Sequence, residues 1–231
     1  MFTYKTLVTR INKNEEPIEL QMNCCAAAGY TGRDQKSVKA HIAELKKLDV
    51  PTPYSTPAIY WISPSRLTNH PTLVVIGKQT SPEVEFFIAS SLEGHLYVTV
   101  ASDHTDRQLE AISVGKSKQI CDKILGDTFW RVEEIADHWD KIQLSSRVIK
   151  DTQWIDYQSG SFSDILHYSE LLEIISADGP AGDKPCLLSG TIPIIGGDPI
   201  FTNHCTITLT DPVLDREISK SYSIIDVPDR S

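Results

Sequence analysis

The stretch EVEFFIASSLEGHLYVTVASD, residues 83–103, reads as two strands turning back on each other, and its reading decides the fold. Side chains alternate across a strand, so Glu83 and Glu85 project from one face while Val84 points to the other. The turn falls in SLEG. A register that pairs Ser90 with His95 sets Glu85 opposite Val100 and Glu83 opposite Ser102. Asp103 then arrives beside the glutamates with the wrong parity for their face, so the chain is expected to leave the sheet at the polar run DHTD.

Three carboxylates gathered there repel one another, by on the order of 4 kcal/mol per pair at ~4 Å and an effective dielectric near 20. A divalent cation removes that penalty. The oxygen-only set Glu83, Glu85 and Asp103, with water filling the other positions, suits Mg2+ or Mn2+. The same letters also fit an exposed E-x-E on a solvated strand face. His104 and Asp106 flank the aspartate and offer a different metal cluster.

Working outward, the pattern stays β-rich. FTYKTLVT and PIELQM around the turn INKNEE form a hairpin-like start, and AIYWI, TLVVIG, CLLSGTI, HCTITLT and REISKSYSII supply further strands. A helix is predicted over 34–48, with Asp34 as N-cap and Val38, Ile42, Leu45 and Leu48 at helical spacing. DVPTPYSTP ends it, because proline does not continue a helix. Shorter helices are expected near 105–114 and 163–176. These elements make a β-rich α+β domain. Residues 1–55 form an N-terminal part with the first helix, continuous with 56–231.

The chain has 231 residues, enough to bury roughly 70–75% of its unfolded surface without disulfide staples. Its net charge of −9 makes non-specific binding to nucleic acid or an anionic membrane unfavourable. No apolar run reaches the ~18 residues of a membrane helix, and the N-terminus lacks the apolar core of a signal peptide. Five cysteines without a C-x-x-C pair fit a reducing cytoplasm and exclude zinc ribbons.

Four further signals carry chemistry. His41 and Glu44 stand three apart on the first helix, where a carboxylate orienting an imidazole would leave its other nitrogen free to take a proton from water; taken alone, a surface pair worth a few tenths of a kcal/mol is the better fit. GKSKQ offers Lys116 and Lys118, and SGTI offers a Gly190–Thr191 turn, either of which suits an anionic oxygen. Arg33 and Arg107 are each candidates for a substrate carboxylate or for a structural ion pair. IIGG is no dinucleotide fingerprint, and neither a Walker loop nor a G-x-S-x-G elbow is present.

In order along the chain, HIAE (41–44), EVEFFI (83–88), SDHTDR (102–107), GKSK (115–118), YQSGS (157–161) and SGT (189–191) resemble the motif series of the fumarylacetoacetate hydrolase superfamily. GRDQKSVKAHIAEL, SDHTDRQLE and ADHWD look like one bacterial family of similar length. The resemblance runs from about Gly29 to Tyr222. It implies a mixed β-sandwich roll of the fumarylacetoacetase C-terminal type with a small N-terminal lid helix, assembled as a homodimer. It further implies Glu83, Glu85 and Asp103 as metal ligands, His41–Glu44 as a water-activating dyad, and Lys118 or Lys116 beside the substrate. Arg33, Gln158 and Thr191 would bind substrate. Ser102 stands where the superfamily has asparagine, and the link between E-x-E and the aspartate is shorter.

The activity this implies is hydrolysis of a carbon–carbon bond in a β-diketone or 3-oxo compound. The alternatives are decarboxylation, isomerisation or hydration of a small oxo acid through an enolate, and a catalytically silent oxo-acid binder. Lys118 is preferred over Lys116 on its distance from Cys121.

Overall fold

The computed structural model describes residues 1–47, 52–178, 184 and 186–230, and of residues 41 and 44–47 the backbone alone. Strands β1 (Phe2–Thr9), β2 (Glu15–Met22) and β3 (Cys25–Gly29) precede helix α1 (Gln35–Lys47). Asp34 caps that helix as expected, accepting from the Lys36 and Ser37 N–H groups at 3.0 and 3.4 Å. Next come β4 (Ala58–Ile62), β5 (Leu67–Thr68), β6 (Thr72–Ile76), β7 (Thr80–Ser81), β8 (Val84–Ser90), β9 (Leu96–Ser102) and β10 (Thr105–Asp106). The helical stretch expected near 105–114 is two short helices, α2 (Arg107–Glu110) and α3 (Val114–Ile120), with Asp106 capping the first through the Leu109 N–H. The chain closes with β11 (Lys123–Leu125), β12 (Thr128–Arg131), β13 (Gln143–Lys150), β14 (Gln153–Ser161), α4 (Tyr168–Asp178), β15 (Cys186–Leu188), β16 (His204–Asp211) and β17 (Arg216–Val227).

Two sheets organise these elements. The larger follows the order β2-β1-β12-β9-β8-β15-β3-β4, with β11 also on β9, and the smaller follows β14-β13-β16-β17-β6. The first strands are thus part of the larger sheet: β1 runs parallel to β12, and β3 lies between β15 and β4.

β8 explains why its sequence does not alternate: all seven residues are buried. Val84, Phe86 and Ile88 enter the core shared with the second sheet, alongside Val98, Val100, Leu144 and Leu209. Phe87 and Ala89 enter a second core on the other face, with Tyr97, Ala101, Phe129 and Leu188. A strand wetted on neither face reads as one apolar run. Glu85 belongs by parity to the row of Phe87 and Ala89, so it extends the second core at its end.

The hairpin of β13 and β14 has no counterpart among the expected strands. Its turn is Asp151–Thr152, both at positive φ (49° and 68°). Such two-residue turns favour Asn-Gly or Asp-Gly, and a threonine there conceals the signal.

Candidate metal centre

The geometry of the site begins in the turn between β8 and β9. The Ser91 N–H donates to the His95 carbonyl at 2.9 Å, and Gly94 (φ +86°) donates to the Ser91 carbonyl at 3.1 Å. Ser90 therefore pairs with Leu96, not His95, and Glu85 with Ala101, not Val100. This one-residue difference corrects the expected parity. Asp103 stands directly opposite Glu83, donating its N–H to the Glu83 carbonyl at 2.9 Å. All three carboxylates share one face, and the chain does not leave its register at DHTD, since Thr105 and Asp106 go on to pair with Ser81 and Thr80. One oxygen of each carboxylate lies within 4.8 Å of the others.

Cations close the cluster. Lys118 reaches in from α3, its Nζ 2.5 Å from Asp103 Oδ2 and 3.2 Å from Glu83 Oε2. Lys123, wholly buried, places its Nζ 2.7 Å from Asp103 Oδ1 and donates to the His104 carbonyl at 2.6 Å. Arg107 meets Glu83 Oε1 at 3.1 Å, Ser81 Oγ at 2.7 Å and Glu110 at 2.8 Å. Glu85 stands apart from this pairing: its Oε2 accepts the Gly190 N–H at 2.9 Å.

The electrostatics follow. Burial alone would raise the Glu83 carboxyl, but Arg107 and Lys118 bring it down to about 2. Glu85 is held well above the usual carboxylate range by burial and by the neighbouring Asp103 and Glu83. Burial would lower the Lys118 ammonium, yet Asp103, Glu83 and Glu85 keep it well above its ordinary value, so it stays charged. His104 is pushed down to about 3 by burial, Lys123 and Arg107, and it is neutral.

An oxygen-only triad, with Glu85 and Asp103 buried and Glu83 partly so, in which Glu85 has no cation in contact among the described residues, fits a hard divalent ion. Glu83, Glu85 and Asp103 would hold it. The alternative around His104 and Asp106 does not form. His104 Nε2 bonds Thr80 at 2.9 Å, Asp106 caps α2, and no other metal-type group of three occurs among the described residues.

The other expected residues divide by position. Lys116 is exposed, two residues and about half a helical turn from Lys118, and it does not join the cluster. Arg33 is committed elsewhere: it grips Asp140 through two 2.8 Å bonds and donates to the Ile165 and Phe162 carbonyls. Gln158 is fully buried and works from behind, accepting the Val84 N–H at 2.9 Å and donating to Thr191 Oγ1 and the Ile192 carbonyl at 2.7 Å each. Thr191 donates in turn to the Val84 carbonyl at 2.8 Å. Both residues thus fix the strand that carries the glutamates. His41 and Glu44 lie on α1, and their side chains fall outside the described residues.

Lys123 escaped the sequence reading. The ladder pairs Ile124 with Ser102 and Leu125 with Ala101, which puts Lys123 across from Asp103. A lysine opening an apolar KIL triplet was the available signal.

The chain belongs to the family described as "Protein of unknown function (DUF2848)", whose model matches residues 28–222. No curated protein sequence matches it significantly. Among solved structures it is similar to the apo form of 2-keto-3-deoxy-D-arabinonate dehydratase, at 16% identity and a TM-score of 0.67, over 90% of this chain and 74% of that one. The same dehydratase complexed with magnesium and 2,5-dioxopentanoate matches at 15% identity and 0.65, over 96% and 79%. Cg1458 with inhibitor matches at 14% identity and 0.63, over 97% and 90%. The fold, a β-rich α+β architecture of mixed sheets, resembles that of these dehydratase structures. No helix among the described residues is long and apolar enough to cross a membrane.

Proposed function

We propose that the chain is a magnesium- or manganese-dependent enzyme that stabilises an enolate of a small 2-oxo acid, in a dehydration, decarboxylation or isomerisation. The observation that carries this reading is the buried Lys118 ammonium, kept charged beside three clustered carboxylates. The likeness to a dehydratase described with magnesium and an oxo acid supports it over carbon–carbon hydrolysis.

Bound by Glu83, Glu85 and Asp103, a divalent cation would supply Lewis-acid polarisation of the 2-oxo group. The chain's own groups do the rest. The Lys118 ammonium holds the oxygen on which negative charge develops, and it is worth more in a water-poor site than in solvent. Lys123 neutralises Asp103 from the far side and fixes its direction. Gln158 and Thr191 pin the backbone on either side of Val84, so that Glu83 and Glu85 hold their spacing without reorganising during reaction.

Hydrolysis of a β-diketone is the second reading, and the H-x-x-E spacing of His41 and Glu44 on α1 favours it. There His41, oriented by Glu44, would take a proton from the attacking water. Incubation with 2-oxo acids in D2O separates the two. Enolate chemistry washes deuterium into the carbon beside the carbonyl, with or without loss of water or carbon dioxide. Cleavage of an acylpyruvate into two acids, with no deuterium entering 2-oxo acids that stay uncleaved, would favour the hydrolase.

A further inference from the structure

Asp103 is shared by two lysines, and they are held in different ways. Lys123 sits on a strand paired on both sides, to β5 and to β9, with no exposed surface. Its ammonium donates to the His104 carbonyl, which holds it in ion-pair contact with Oδ1. Lys118 projects from the short helix α3, retains a little exposure, and among the described residues its Nζ bonds only the Glu83 and Asp103 carboxylates. Those two oxygens, Asp103 Oδ2 and Glu83 Oε2, are on residues of the triad that would hold a divalent ion.

We infer that Lys118 is the exchangeable counter-ion of the metal centre. Its ammonium neutralises Asp103 and Glu83 while the site lacks a divalent cation and withdraws from Asp103 Oδ2 when one binds, whereas Lys123 stays on Oδ1. The inference rests on reading Glu83, Glu85 and Asp103 as ligands. The physical ground is that a dication and an ammonium repel when they compete for one carboxylate oxygen in a buried site. Four flexible methylenes let a lysine head move without moving its helix. Metal loading therefore frees a desolvated ammonium beside the triad, and an anionic substrate oxygen is the partner it then lacks. Lys118 thus serves two counter-charges in turn, and the metal-free site avoids stacking three unneutralised carboxylates.

The test uses the full chain and Mn2+ or Mg2+ alone. Lys118→Met should bind Mn2+ about tenfold tighter than the parent chain or better, because a competing charge is gone. Without metal it should melt at a lower temperature, and it should gain more from Mn2+ than the parent does. An Mg2+-loaded crystal structure of the unaltered chain should show Lys118 Nζ off Asp103 Oδ2 and Lys123 Nζ still on Oδ1; this arm stands even if the variant does not fold. A folded variant with unchanged or weaker Mn2+ affinity, or a loaded structure with Lys118 still on Oδ2, overturns the exchange alone. No Mn2+ binding by the unaltered chain overturns the ligand reading with it.

Discussion

Lys123 stands across the β9–β11 ladder from Asp103, and its ammonium lies 2.7 Å from Asp103 Oδ1 with neither side chain exposed. A buried pair of this kind matters most when only one partner is removed. Lys123→Met leaves Asp103 with a single cation, and breaking a buried pair in this way costs on the order of 3–5 kcal/mol. Thermal or urea unfolding should show that loss. A change below ~1 kcal/mol would mean that the Lys123–Asp103 pair contributes no more than an exposed one.

Gly190 has φ +83°, and a Cβ there would come to 3.0 Å from the Ala28 carbonyl and closer still to Thr31. Gly190→Ala should therefore destabilise the chain by more than the ~1 kcal/mol that backbone strain alone carries. Because the Gly190 N–H holds Glu85, Mn2+ affinity should fall with it, as a calorimetric titration would show. Unaltered stability and affinity would remove the turn from the account of the site.

The α1 cap and the two glutamates on one face were legible in the letters. Asp34 and the i, i+4 apolar spacing are local signals, and alternation across a strand is geometric. What was not legible depended on a single turn. Whether Ser90 meets His95 or Leu96 is set by Gly94 and the 91–95 backbone bonds, and one residue of slip moves Asp103 between faces. Arg33 failed differently: arginine at a helix entrance looks the same whether it faces a substrate or Asp140, and its partner lies 107 residues away. The five cysteines, read as a reduced set, are free thiols in the structure.

Asp211 gives a pH signature away from the site. Burial would raise its carboxyl, but His138 and the Leu214 and Val213 N–H groups hold it below the ordinary aspartate value, with Arg216 alongside at 3.2 Å. A carboxyl lowered by folding contributes stability that is complete above the unfolded value of about 4 and is lost as pH falls through the folded one. Asp211→Asn should melt below the parent chain at pH 7, and the gap should narrow as the pH drops under about 4. Melting curves that stay parallel across that range would show that Asp211 does not titrate with folding.

The central claim is that Glu83, Glu85 and Asp103 hold one divalent cation. Titration of chelator-stripped protein with Mn2+, followed by electron paramagnetic resonance, tests it most directly. The account predicts one tightly bound equivalent per chain, lost in Asp103→Asn and in Glu85→Gln, while circular dichroism shows both variants folded. The absence of stoichiometric binding in the parent chain, or equal binding in the folded variants, would contradict it.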